Sequence, residues 1–205
     1  MKVILDFDPD LQCPADCDCQ WTIYSFSRKH YNFKEPEELG LGSRLESDGL
    51  PKILNPGLRR RLETGLAHFL SYYEHSGSIW FRKEGNIPGG VEFQWDGTRV
   101  AGLLVWEHDP KDMGHKTFED RAKDADSFLE CYTRWANGEG YCFSIENDQG
   151  ETVESCSGFD DPEYMLGEVA SHLEGKEFEV EGEADFLESD LRKLVKELES
   201  KKKAA

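Results

Sequence analysis

Residues 78–106 contain the feature that most constrains the fold of this chain, a strong β-hairpin signal. The dipeptide Asp96-Gly97 stands there between two strand-like runs. A two-residue type I′ turn needs positive φ at both central positions, and Asp-Gly adopts that conformation at low cost. We therefore predict three strands and two turns in this stretch, which together form an antiparallel meander.

Helical patterns flank the meander, and a second hairpin follows it. Apolar residues recur at helical spacing in three segments, the last of which opens on an N-cap and a proline at Asp161-Pro162. This order of elements predicts an α+β fold, with a mainly antiparallel sheet (meander plus hairpin) and helices packed on one face. The predicted helices cover residues 56–74, 117–137 and 162–175, and the predicted hairpin strands cover residues 141–145 and 151–157.

The sequence divides into three parts, and the last part ends in a helical tail with a leucine pattern. Two heptads of leucines are too few for a stable free coiled coil, so the helical tail either docks on its own domain or pairs with a copy of itself in a homodimer. Its leucines are Leu187, Leu191, Leu194 and Leu198, at 4-3-4 spacing. The parts are residues 1–57, with strands at 2–7 and 21–27, a cysteine-rich loop and a long loop at 33–56; residues 58–175, the α+β core; and residues 176–205, an acidic linker and a C-terminal amphipathic helix.

The chain is strongly acidic, with 24 Lys and Arg against 42 Asp and Glu and a formal net charge of −18. Residues 116–175 carry 4 basic and 15 acidic side chains, a net charge of −11. Such a field disfavours nucleic acid and anionic membrane as direct partners, and it favours a basic partner protein or simply solubility. The candidate partner-binding residues lie on the outer face of the second predicted helix and are Glu119, Asp120, Asp124, Asp126 and Glu130.

The chain lacks the sequence signals of membrane insertion and secretion. Its longest uninterrupted apolar run covers residues 100–106, and residues 1–20 hold no basic segment followed by an apolar one. We therefore expect a cytoplasmic protein whose six cysteines are thiols or metal ligands rather than disulfides. Cys142 and Cys156 fall on facing strands of the second hairpin, where we expect buried thiols.

Three cysteines near the start of the chain form a candidate zinc site. Cys13, Cys17 and Cys19 are followed by His30, and thiolates with imidazole are ligands that suit Zn²⁺. The spacing Cys-x3-Cys-x-Cys departs from the usual Cys-x2-Cys knuckle. The alternative is that these residues are reduced thiols at the surface.

A pair of aspartates follows the first apolar strand. Asp6 and Asp8 after residues 3–5 resemble the signature of the haloacid-dehalogenase phosphotransferases, a hydrophobic strand followed by Asp-x-Asp-x-Thr. The resemblance implies that the first Asp is a nucleophile, the second is a general acid and base, and Mg²⁺ binds between them and a phosphate. Here Asp10 replaces the Thr, and that family has a parallel sheet, which the antiparallel pattern of this chain does not predict.

Two further stretches are similar to segments of small acidic proteins encoded by bacteriophages and prophages. They are residues 21–33, which begin Trp21-Thr-Ile-Tyr-Ser-Phe-Ser, and residues 135–159, which begin Trp135-Ala-Asn-Gly. The resemblance covers about a third of the chain and implies a phage setting inside a bacterial host cell. Proteins of this class often act by binding a host or defence protein.

We therefore expect a non-enzymatic acidic interaction protein without a cofactor. It binds and inhibits a basic host protein of nucleic-acid handling or defence, in the manner of a DNA mimic. Two alternatives remain open at this point: an Mg²⁺-dependent hydrolase of phosphate esters that uses Asp6 and Asp8, and a zinc-stapled structural module of a larger assembly.

Overall fold

The chain forms two compact units in the computed structural model, which describes residues 1–18, 20–47, 49–84 and 96–203. The terminal unit consists of Met1–Gln12 and Arg134–Ala205, and the middle unit consists of Cys13–Thr133. The predicted boundaries at residues 57 and 175 do not coincide with this division, because the first strand pairs with strands that follow residue 140.

The described elements, in chain order, are ten strands and four α-helices. The strands are β1 (Lys2–Phe7), β2 (Thr22–Ser25), β3 (Leu41–Leu45), β4 (Pro51–Ile53), β5 (Ala67–Glu74), β6 (Ser78–Arg82), β7 (Gly97–Val105), β8 (Tyr141–Glu146), β9 (Thr152–Phe159) and β10 (Glu179–Glu181). The helices are α1 (Pro56–Glu63), α2 (Phe118–Ala136), α3 (Pro162–Leu173) and α4 (Glu188–Lys203), and short 3₁₀ turns occur at Pro14–Asp16, Pro36–Leu39 and Asp185–Leu187. The α+β fold is confirmed.

The terminal unit is a four-stranded sheet in the order β10-β1-β8-β9, with α3 and α4 packed on it. Strands β1, β8 and β9 are antiparallel, and β10 adds to β1 in parallel. Alternate residues of β1 and β8, such as Val3 and Ile145, are fully buried, as expected for a sheet with one covered face. The helices contribute further core residues, including Met165, Leu173 and Leu191.

The C-terminal helix docks on its own unit, which was one of the two predicted alternatives. Leu191 and Val195 of α4 are buried in the same core as α3. Leu194 and Leu198 are partly buried against that core. The leucine face therefore packs mainly within the unit, and the predicted homodimer through this helix stays a prediction.

The middle unit is a second four-stranded sheet, in the order β2-β7-β5-β6. One side of its core includes Leu58 of α1 and Leu41 of β3 with residues of β5 and β7. Helix α2 buries Ala125 and Leu129 among its apolar residues. Its observed bounds agree with the predicted helix, and Gly138 follows it with φ of +73°.

The predicted helix over residues 56–74 is wrong in its second half. Helix α1 begins after Asn55, whose side chain caps it, but it ends at Glu63. Gly65 has φ of +73°, and the Leu66 N–H donates to the Arg61 carbonyl, which is the pattern of a glycine-terminated helix. The apolar residues that follow form β5, the central strand between β6 and β7, and a strand buried on both faces shows no alternation in sequence.

The predicted meander is also corrected. Strands β6 and β7 both exist, but each pairs with β5, so they are not neighbours in the sheet. The predicted middle strand lies outside the described residues, and Gly97 of the predicted type I′ turn is the first residue of β7 and does not have the positive φ that this turn requires. The predicted loop at 33–56 contains the small β3-β4 sheet, which the glycines and prolines of that segment conceal in the sequence.

Candidate functional site

The five carboxylates predicted to bind a partner do not form one free surface on α2. Glu119, Asp120 and Glu130 are exposed. Asp120 accepts a hydrogen bond from the Thr117 hydroxyl in the first turn of the helix, at 2.7 Å. The remaining two, Asp124 and Asp126, are only half exposed and have partners within the middle unit.

Asp126 holds a buried arginine. The Arg82 guanidinium, whose side chain is 10% exposed, donates from Nε and Nη2 to the two Asp126 carboxylate oxygens, at 2.6 Å each. This bidentate geometry uses both oxygens and compensates the burial of the arginine. Asp126 therefore has a structural role that its position on a helix surface does not indicate.

Asp124 lies in a cluster of aromatic residues and histidines. It accepts a hydrogen bond from the Trp21 indole at 2.7 Å, and His115 Nε2 lies 3.6 Å from its other oxygen. The Trp21 ring also contacts His68, which is 3% exposed. Burial, together with the nearby Arg82 charge, lowers the pKa of His68 to about 4, so His68 is neutral at pH 7.

Asp6 and Asp8 bind backbone amides of the terminal unit. Asp6 Oδ1 accepts from the Glu183 N–H at 2.7 Å. Asp8 accepts from the Gly158 N–H at 2.8 Å and from the Asp10 N–H at 3.0 Å. These contacts connect the end of β1 and the residues after it to β9 and to the segment after β10. Both carboxylates therefore have a structural role. The sheet around them is mainly antiparallel, unlike that of the haloacid dehalogenases.

The predicted zinc ligands are described only in part, because Cys19 lies outside the described residues. Cys13 is buried with its Sγ 3.5 Å from the Tyr31 hydroxyl, and Cys17 is exposed. His30 Nδ1 is 2.7 Å from the Ser25 hydroxyl, and the ring packs against Tyr72 and Trp80. Among the described residues, no group of three or more His, Cys, Asp and Glu side chains is arranged to hold a metal ion.

Cys142 and Cys156 are offset across the second hairpin. Cys156 pairs with Phe143, next to a register shift, and it is exposed rather than buried as predicted. Cys142 is half-buried and donates to the Phe7 carbonyl at 3.7 Å. Burial raises the pKa of Cys142, and the Asp8 and Asp6 charges act in the same direction.

Negative charge is concentrated on the terminal unit. This unit holds 84 of the 205 residues and carries 9 basic and 22 acidic side chains, a net charge of −13. The larger middle unit carries 15 basic and 20 acidic side chains, a net charge of −5. The surface that can attract a basic partner is therefore mainly that of the terminal unit.

The densest part of this charge is an acidic strip around β10. Residues 177–190 contain seven acidic side chains and no basic one. Five acids alternate with other residues: Glu179 and Glu181 lie on β10, Glu177 precedes it, and Glu183 and Asp185 lie in the turn and the 3₁₀ turn that follow it. All five are exposed, and together they are named the acidic strip: Glu177, Glu179, Glu181, Glu183 and Asp185.

Cations also lie beside the acidic strip: Lys2, Lys176 and Arg192 line the same cleft as Glu177 and Glu179. Lys2 on β1 forms an ion pair with Glu181 at 2.9 Å. That hydrogen-bonded pair raises the pKa of Lys2, and the charges of Glu146 and Glu179 act in the same direction. An open cleft of about 810 Å³ adjoins these residues, and Glu177 and Glu179 contribute to its lining together with Phe178.

Comparison of the chain with family models, with curated proteins and with solved structures gave no match. Within the described part of the chain, no helix is long and apolar enough to cross a membrane. The interpretation of the surface therefore depends on its chemistry alone.

Proposed function

We propose that this protein is a non-enzymatic interaction protein that binds a basic partner protein through the acidic strip. The observation that carries the proposal is the row of five exposed carboxylates within a segment that has no basic residue. Only Glu181 of this row has an ion-pair partner among the described residues. Exposed carboxylates that form no ion pair attract a basic surface within about a Debye length and disfavour acidic partners.

The partner class follows from this charge pattern. A protein that handles nucleic acid presents a basic groove to the phosphates of its substrate. The acidic strip offers five exposed negative charges to such a groove, so the protein acts as a DNA mimic and inhibits its partner by occupying the groove. The sequence resemblance to phage-encoded proteins adds a phage setting, in which the partner is a host protein of nucleic-acid handling or defence.

Affinity capture from a bacterial lysate tests this proposal. The purified chain is immobilised, and bound proteins are eluted by raising the salt from about 50 mM to about 500 mM, which shortens the Debye length more than threefold. We expect a basic, nucleic-acid-binding protein that elutes in this range and that duplex DNA displaces. A partner that stays bound at high salt and is indifferent to DNA would contradict the proposal.

The exposed carboxylates of α2 provide the comparison surface. Glu119, Asp120 and Glu130 were predicted from the sequence to bind the partner, and that prediction is tested in the same experiment by their replacement with Gln or Asn. If these changes abolish capture while Gln at positions 177, 179 and 183 leaves it intact, the binding surface is α2 and the assignment to the acidic strip is wrong.

A further inference from the structure

A groove runs between α3 and α4 on the terminal unit. Its volume is about 500 Å³. Leu166 of α3 and Leu194 of α4 line it, with Leu187 from the 3₁₀ turn before α4 and Pro162 at the start of α3. Leu166 and Leu187 are also part of the core, whereas Leu194 is only partly buried. The floor of the groove is therefore apolar and continuous with the core of the unit.

Carboxylates border this apolar floor on both helices. Glu163 lies on α3, and Asp190 and Glu197 lie on α4. The α4 residues that line the groove, at positions 190, 193, 194 and 197, follow the spacing of one helical face. All three carboxylates are exposed, and none forms an ion pair within the described part of the chain. Lys193 is the one cation among the described residues that line the groove.

We infer that this groove binds a basic amphipathic helix of the partner protein. An apolar groove between two helices accepts the apolar face of a third helix, and acidic borders match Lys or Arg residues that flank that face. A second copy of this chain is a poor occupant, because its terminal unit also carries a charge of −13. This inference rests on the proposed function, since it assumes the same basic partner, and it adds a second contact outside the acidic strip.

A synthetic peptide tests the inference directly. The probe has about 14 leucine and lysine residues, with the leucines on one helical face, and the control peptide has the same composition in scrambled order. We expect the probe to bind the full chain, to gain helicity on binding, and to bind at least tenfold more tightly than the scrambled peptide. Equal binding of the two peptides would overturn the inference.

Variants of the chain separate groove binding from general charge attraction. Leu194→Glu adds a negative charge and removes an apolar contact, so groove binding predicts about tenfold weaker probe binding, whereas charge attraction alone predicts tighter binding. Because Leu194 is partly buried, the variant's thermal unfolding is measured as well. A second variant at exposed positions, Glu163→Gln with Asp190→Asn and Glu197→Gln, is expected to weaken probe binding by a similar factor without affecting the core.

A matched variant of the middle unit is the control. Asp112→Asn with Glu119→Gln and Glu130→Gln changes the net charge by the same amount at exposed positions. We expect it to leave probe binding within about twofold of the unmodified chain. If both triple variants weaken binding equally, the groove is not the site, although the proposed function survives. If neither peptide binds at about 50 mM salt and the lysate yields no basic partner, the proposed function fails as well.

Discussion

Asp126 and Glu130 occupy the same face of α2 one turn apart, yet they have different roles. Asp126 compensates the charge of the buried Arg82, and Glu130 is exposed without such a contact. The sequence shows both as surface acids, since the partner of Asp126 lies 44 residues away in the chain. Long-range ion pairs of this kind depend on the tertiary fold and have no local sequence signal.

We expect Asp126→Asn to destabilise the protein by about 2 kcal/mol, because the buried Arg82 guanidinium loses its charged acceptor. The cost is not larger, because Asp126 is half exposed, so water can reach the contact. The matched change Glu130→Gln should alter the free energy of unfolding by less than about 0.5 kcal/mol. Urea denaturation of both variants measures the difference. Equal effects of the two changes would mean that the Arg82 contact does not stabilise the fold.

His68 makes the stability of the protein depend on pH. The pKa of His68 is about 4 in the folded protein and 6.5 ordinarily. Between pH 4 and pH 6.5 the folded state therefore binds fewer protons than the unfolded state does. The contribution of neutral His68 is fully present above pH 6.5 and is lost as the pH falls towards 4. At 1.36 kcal/mol for each pKa unit, the loss amounts to about 3 kcal/mol at the acid end.

Substitution of His68 by Leu isolates this contribution from that of the carboxylates. We expect the unmodified chain to lose about 3 kcal/mol more than His68→Leu between pH 7 and pH 4. Urea denaturation at several pH values gives this difference. If the difference in the free energy of unfolding between the two proteins is the same at every pH, folding does not change the protonation of His68.

At the scale of elements, the sequence predicted the turns, caps and helix ends that depend on interactions between residues close together in the chain. The hairpin of residues 141–157, the N-cap at Asp161 and the end of the second helix near residue 137 were identified from the sequence and are confirmed. Strand β5 was missed because its apolar run fits a helical spacing, and only its position between two strands distinguishes it. The acidic strip was visible as composition, but its exposure beside β1 required the parallel pairing of β10.

Gly182 controls how β10 joins the sheet. Its φ is +109°, and an added Cβ would lie 2.1 Å from the Leu5 carbonyl oxygen. We expect Gly182→Ala to destabilise the protein by at least about 3 kcal/mol, from the backbone conformation and the clash together. Gly175→Ala is the matched control, because Gly175 has φ of +71° with nothing within 4 Å of an added Cβ, and it should cost only about 1 kcal/mol. Thermal unfolding of both variants measures the costs, and similar values would contradict the close approach at Gly182.

At the scale of the whole molecule, the net charge could be predicted and its distribution could not. The sequence segment with the largest excess, residues 116–175, contributes to both units, and part of its charge has structural partners. The fold joins the N-terminal strand to the last third of the chain and gives that unit a charge of −13. Charge per folded unit is therefore a better guide to a docking surface than charge per sequence segment.

The salt dependence of binding to the captured partner tests the central claim most directly. The dissociation constant is measured from about 50 mM to about 500 mM salt for the unmodified chain and for Glu177→Gln with Glu179→Gln and Glu183→Gln. We predict that affinity falls steeply with salt, and that the triple variant binds at least tenfold more weakly at low salt with a shallower dependence. An affinity that is independent of salt, or unchanged by these three substitutions, would contradict the claim that the acidic strip is the binding surface.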